Sequence, residues 1–139
     1  MTTKRTAALL VLPLTLLLLT SCLAPHSLHS LQLVNESRGA SGVHPVVDNA
    51  TLAAKAQSWA EVLAARGSLA HSNLADGAGP GWQALGENVA MAGSVDKAHR
   101  LFLNSPAHRS TMLSGRYTHL GVGTAEANGR IFVVQVYGG

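Results

Sequence analysis

The chain has 139 residues, with 10 Lys and Arg against 7 Asp and Glu, and only 12% of its residues are charged. That length allows one domain built on one hydrophobic core. Two of the cations, Lys4 and Arg5, fall in a segment with the features of a targeting leader. The remainder is close to neutral, with no basic run along the chain, so nucleic acid is not expected as a partner.

The leader comes first. "MTTKR" is a short basic start, and Ala7–Leu19 is a mostly apolar run of thirteen residues. Crossing a bilayer takes roughly twenty residues, so this run fits the core of a signal peptide better than a membrane helix. It ends in Leu19-Thr20-Ser21-Cys22, which resembles the bacterial lipobox: an aliphatic residue, two small ones, then the cysteine that is lipidated. Cys22 is the only cysteine, so it has no partner for an internal disulfide. The expected organisation is a lipoprotein signal peptide over 1–21, a lipidated tether over 22–30, and one domain over 31–139. Fatty-acyl groups such as palmitate on Cys22 would supply the two or more chains that stable anchoring needs. An ordinary secretory signal cut nearby, leaving a bare thiol, is the alternative. Both readings place the mature protein outside the cytoplasm.

Beyond the tether, Leu28, Leu31, Val34 and Arg38 recur at helical spacing. "GASGVHP" breaks that helix at Gly39–Pro45. Asp48 or Asn49 can cap the next helix, whose buried face is expected to hold Leu52, Ala56, Trp59, Ala60 and Leu63, ending at Gly67. The glycine-rich stretch Leu69–Gly93 reads as a long loop, a kind of segment that is commonly functional. A helix follows over Val95–Asn104, with Ala98, Leu101 and Phe102 inward. Ser105 and Pro106 then start a short helix to Leu113. His119–Glu126 and Arg130–Gly138 read as two strands joined by the turn residues Asn128-Gly129. The last strand is largely apolar on both faces, so it should be central and covered by helices on each side.

Of the seven histidines, no two form a close-spaced metal pair on one helix. His26 and His29 in the tether, His44 in a turn, His99 on an outer helix face and His119 at a strand start each read as solvated or structural. Neither a nucleophile elbow nor a phosphate-binding loop is present. With its one cysteine at the membrane end, the mature domain has no cysteine nucleophile.

Order gives the remaining residues more weight. A helix runs into "LAHSN", then come "LGENVA", "FLNSPAHRSTML", "THLGVG" and "RIFVVQVYG". This ordered set resembles the CAP superfamily (cysteine-rich secretory proteins, antigen 5 and pathogenesis-related proteins), in its cysteine-poor bacterial branch. "LVNESR" also resembles that family's early N-x-x-R helix. The resemblance spans about residues 31–139. It implies an α+β fold, a three-layer α-β-α sandwich with a small antiparallel sheet between helices. It further implies a cleft holding two histidines and two acids. His71 and His108 match the histidines and Glu87 the first acid, whereas Ser105 stands where the second acid would be. The resemblance therefore implies no certain cofactor. A zinc or other divalent ion on His71, His108 and Glu87 would be weakly held, and Glu87 could instead orient one imidazole. A purely structural His–Glu network is the competing reading.

The expected function is an extracytoplasmic, lipid-anchored, non-enzymatic binding module. Its cleft would take a divalent cation, a small apolar molecule, a peptide or a cell-envelope component. The alternative is a metal-assisted peptidase or esterase with Glu87 as general base, or a serine route through Ser72 or Ser105.

Overall fold

The computed structural model describes residues 24–139. The expected signal peptide and the expected lipidation site, Cys22, lie outside the described residues. The elements run α1 (Pro25–Ala40), β1 (Val47–Asp48), α2 (Ala50–Arg66), β2 (Leu85–Ala92), α3 (Val95–Asn104), α4 (Pro106–Met112), β3 (His119–Ala127) and β4 (Arg130–Gly138).

The four strands form one sheet in the order β1-β3-β4-β2. The expected hairpin is present: β3 and β4 pair antiparallel from His119↔Gly138 to Ala127↔Arg130. Asn128 (φ 50°) and Gly129 (φ 69°) make its turn, the left-handed pair that a two-residue hairpin loop requires. One pairing differs from expectation. β1 runs parallel to β3, so the sheet is mixed rather than wholly antiparallel.

β4 is interior and buried from Ile131 to Gly138. Its alternation separates two cores. Phe132, Val134 and Val136 join Leu52, Ala56, Ala60 and Leu63 of α2. Ile131, Val133 and Tyr137 join Val34 of α1, Phe102 of α3 and Met112 of α4. The molecule is thus α2, then the sheet, then α1, α3 and α4. α2 is capped as its sequence demands: Asn49 accepts from the Leu52 N–H, and Gly67 (φ 66°) closes it in the left-handed region.

Other expectations are corrected. α1 starts at Pro25, not Leu28, because proline suits the first helical position; residues 25–30 are helix rather than tether. Its buried face is Ser27, Ser30, Val34 and Arg38, while Leu28 is 42% exposed. The C-terminal part of the presumed long loop is β2, paired with β4 along its whole length from Leu85↔Gly138 to Ala92↔Ile131. On α3 the inward residues are Val95, Ala98, His99 and Phe102, and Leu101 is 52% exposed. Those four sit at offsets that make one helical stripe, and His99 belongs to it rather than to the outer face. His26 and His29 are not simply solvated: they sit against Glu126 and Asp96.

His99 carries a pH dependence. Its Nε2 shares a 2.8 Å hydrogen bond with Ser37 Oγ, and its Nδ1 is buried without a partner among the described residues. A buried lone pair costs less than a buried unpaired N–H, so the neutral ring with the proton on Nε2 is favoured. Burial first, outweighing the nearby carboxylates Asp96 and Glu36, lowers its pKa. The unfolded chain therefore takes up this proton at a higher pH than the folded one. Folding stability is full above the ordinary histidine pKa of ~6.5 and falls as the pH drops below it. Urea unfolding between pH 7 and 5 should show that slope. His99→Gln, which keeps a donor near Ser37, should reduce it by up to ~1.4 kcal/mol per pH unit.

Candidate functional site

β2 is an edge strand, and its pleat sends alternate residues to opposite faces. Val89 and Met91 pack in the α2 core, whereas Ala90 pairs with the other core. Glu87 shares the first parity and Asn88 the second. Glu87 therefore meets the segment after α2, and Asn88 meets α4.

Glu87 is the fixed point. Its side chain is 1% exposed. Oε1 lies 2.7 Å from His71 Nδ1 and accepts the Ser72 N–H at 2.9 Å, and Oε2 accepts the Ser72 hydroxyl at 2.6 Å. With Glu87 ionised, Nδ1 of His71 carries a proton and Nε2 points its lone pair elsewhere. The His71 ring is 62% exposed. So a buried carboxylate orients an accessible imidazole.

Asn88 supplies the other half. Its amide donates to the His108 carbonyl at 3.1 Å, beside a buried chain in which Tyr137 donates to Gln135 at 2.7 Å and Gln135 to Ser30 at 3.1 Å. Pro106 begins α4 as expected, although Ser105 makes no side-chain cap bond. The His108 ring then stands edge-on to Phe102, centroids 5.4 Å apart. Burial first, and next the charge of His71, lower the His108 pKa. The lowered pKa favours the neutral His108 ring at neutral pH. No hydrogen bond joins His108 to His71 or Glu87 among the described residues.

The segment between α2 and β2 is tied down. Lys55 Nζ donates to the Asn73 and Asp76 carbonyls at 2.7 Å each, Trp59 to the Ala70 carbonyl at 2.9 Å, and Trp82 to the Ala78 carbonyl at 2.8 Å. Next to Ser72 a groove of about 400 Å³ opens between Lys55, Trp59 and Asp76. Sequence reasoning missed Ser72 as the partner of Glu87. The one signal for it was its place beside His71.

The cysteine-rich secretory protein (CAP) family pattern matches residues 31–137. The chain belongs to the CAP family. It is 26% identical over 117 residues to YkwD of Bacillus subtilis (strain 168), a match covering 78% of this chain and 45% of YkwD, so the chain spans less than half of that relative. Solved CAP-like folds agree. An extracellular SCP-domain protein of Bacillus anthracis str. Ames superimposes with a TM-score of 0.71 at 22% identity, over 85% of this chain and 44% of that one. An outer surface protein of Borrelia burgdorferi does so at 0.70 and 16% identity, over 78% and 87% of the two chains.

The CAP site can be tested for fit to a metal. Among the described residues no three His, Cys, Asp or Glu side chains are grouped as a ligand set. Glu87 is sequestered, its two oxygens accepting bonds from Ser72 and His71. Glu87 therefore stands behind His71, in the usual position of a carboxylate that orients a ligating histidine, and its oxygens do not suit direct ligation of a metal.

Proposed function

We propose that this CAP domain is an extracytoplasmic, lipid-anchored binding module whose ligand-contacting groups are His71 and His108, with Glu87 as the group that orients His71. The observation that carries this reading is the buried Glu87 carboxylate aligned on the exposed His71 imidazole. A divalent cation such as zinc is the ligand class best suited to two imidazoles, and waters would complete its shell. The hydrolase alternative is weaker, because a general base needs a lone pair directed at water, and both Glu87 oxygens face Ser72 and His71. Supporting the location are the leader ending at Cys22 and the extracellular and outer-surface proteins that share the fold.

Zinc titration of the mature chain tests the site. At tenfold excess over Kd the expected stabilisation is ~1.4 kcal/mol, a rise in Tm of about 5 °C. His71→Ala and His108→Ala should each abolish the rise, and Glu87→Gln should weaken it about tenfold or more in affinity. An unchanged Tm at millimolar zinc in the wild type would remove the metal reading. A Cys22→Ser variant should lose acyl labelling and membrane association together.

A further inference from the structure

The first turn of α1 stands close to Cys22 in the chain. Three peptide steps separate Cys22 from Pro25 and reach at most ~11 Å even when fully extended. The start of α1 is also fixed to the domain. Ser27 and Ser30 are buried, His26 Nε2 lies 3.2 Å from Glu126, and His29 Nε2 lies 3.2 Å from both oxygens of Asp96. An anchor at Cys22 would therefore hold one particular face of the domain at the bilayer, with little slack for the domain to turn away.

That face carries positive charge that is scattered in the sequence. A hollow of about 320 Å³ is lined by His26, His29, Asp96, Glu126 and Arg130. It continues through Gly93 and Arg130 into a second hollow of about 560 Å³ lined by Lys97, Arg100, Leu101 and Arg130. Lys97, Arg100 and Arg130 are three of the eight Lys and Arg residues that follow the leader. The two carboxylates at the rim, Asp96 and Glu126, are each paired with a histidine. Leu101 is 52% exposed between the cations, and Leu28 is 42% exposed in the first turn of α1. Cations around an accessible apolar side chain form a surface suited to the headgroup region of an anionic bilayer.

We propose that this surface, Lys97, Arg100 and Arg130 beside the start of α1, docks the domain on anionic phospholipid and sets its orientation on the membrane. The proposal rests on the lipid-anchor reading of Cys22. With that face down, the domain has a defined up and down rather than swinging on a tether.

Lys97 offers a direct readout, because Lys55 and Lys97 are the only lysines after the leader and Lys55 is buried. The acylated mature chain is placed on vesicles of phosphatidylcholine alone or of phosphatidylcholine with phosphatidylglycerol. Amine labelling of Lys97 is then followed by mass spectrometry. The chain should associate with both vesicle types through its acyl groups. Lys97 should be labelled severalfold more slowly on the phosphatidylglycerol vesicles, and high salt or the double variant Arg100→Gln/Arg130→Gln should remove the difference. Association with both vesicles but equal labelling rates would overturn the docking surface alone. Failure to associate with either would overturn the anchor and the docking surface with it.

Discussion

Gly123→Ala should leave this domain unfolded or cost it about 3 kcal/mol or more, read from urea unfolding of the mature chain. Gly121 and Gly123 lie two apart on β3, on the face that α2 covers. A Cβ at Gly123 would overlap main-chain atoms of Ala56 and Gln57, and one at Gly121 would overlap those of Leu52 and Ala53. The obstacle is helix backbone, not the end of a flexible side chain, so no rotamer change relieves it. α2 would have to lift from the sheet along the row where Leu52, Ala56, Ala60 and Leu63 meet Phe132, Val134 and Val136. Separating those two layers loosens close-packed contacts along the whole helix, which is why the cost exceeds that of one misplaced methyl. Gly39 provides the control. It lies within α1, and a methyl added there would meet nothing within 4 Å, so Gly39→Ala should stabilise by roughly 0.5–1 kcal/mol through helix propensity. If Gly123→Ala behaved like Gly39→Ala, the close contact between α2 and β3 would be wrong.

The same glycines show what the chain discloses in one dimension. "HLGVG" followed by "RIFVVQVYG" displays alternation, a turn and a strand apolar on both faces, and those local patterns were sufficient for the hairpin and its two helical covers. β2 is a different case. Gly86, Glu87, Asn88, Ala90 and Ala92 are poor strand formers, and the strand is buried on most of its length, so neither propensity nor alternation marks it. Only its pairing with β4, roughly forty residues or more away, makes it a strand. β1 is two residues held by the Thr118 and Leu120 carbonyls, again a non-local cause. The site divides the same way. Motif order singled out His71, Glu87 and His108 as candidates, and the structure joins the first two directly. The partners that give them their chemistry were not legible, because Ser72, Asn88 and Gln135 acquire those roles only through contacts across the fold. His99 was misplaced for a nearer reason: Leu101 is the more apolar choice on α3, but Ala98 and His99 share a stripe with Val95 and Phe102, and Ser37 pairs with the Nε2 of the ring.

Arg38→Met should destabilise the domain by about 3–5 kcal/mol, and Arg38→Lys should recover only a minor part of that. Arg38 is wholly buried, and its hydrogen-bond partners are backbone carbonyls rather than a carboxylate. Nε donates to His44 at 2.8 Å, Nη1 to Met112 and Ser114 at 2.8 and 3.0 Å, and Nη2 to Tyr117 at 3.1 Å. Each of those carbonyls lies where regular structure has stopped: the turn after α1, the end of α4, and the connection into β3. Such oxygens need a donor when buried, and one guanidinium serves all four with a planar fork. Methionine fills similar volume but leaves the carbonyls unpaired, at about 1–3 kcal/mol for each that water cannot reach. Lysine keeps the charge but gathers its donors at one atom, so it cannot span the four. Asn35, one turn earlier on α1, acts on the neighbouring strand start by exchanging two 2.9 Å hydrogen bonds with the Val46 backbone. The "NESR" segment thus joins α1 to the chain just before β1, to the connection into β3 and to the end of α4, the helix that carries His108. Arg38→Met should therefore release α4 as well as lower stability. Hydrogen exchange would show this as lost protection in 106–118 before global unfolding, while α2 and its face of the sheet stay protected. Uniform loss of protection across both layers would instead mean that Arg38 contributes to stability without locally holding α4.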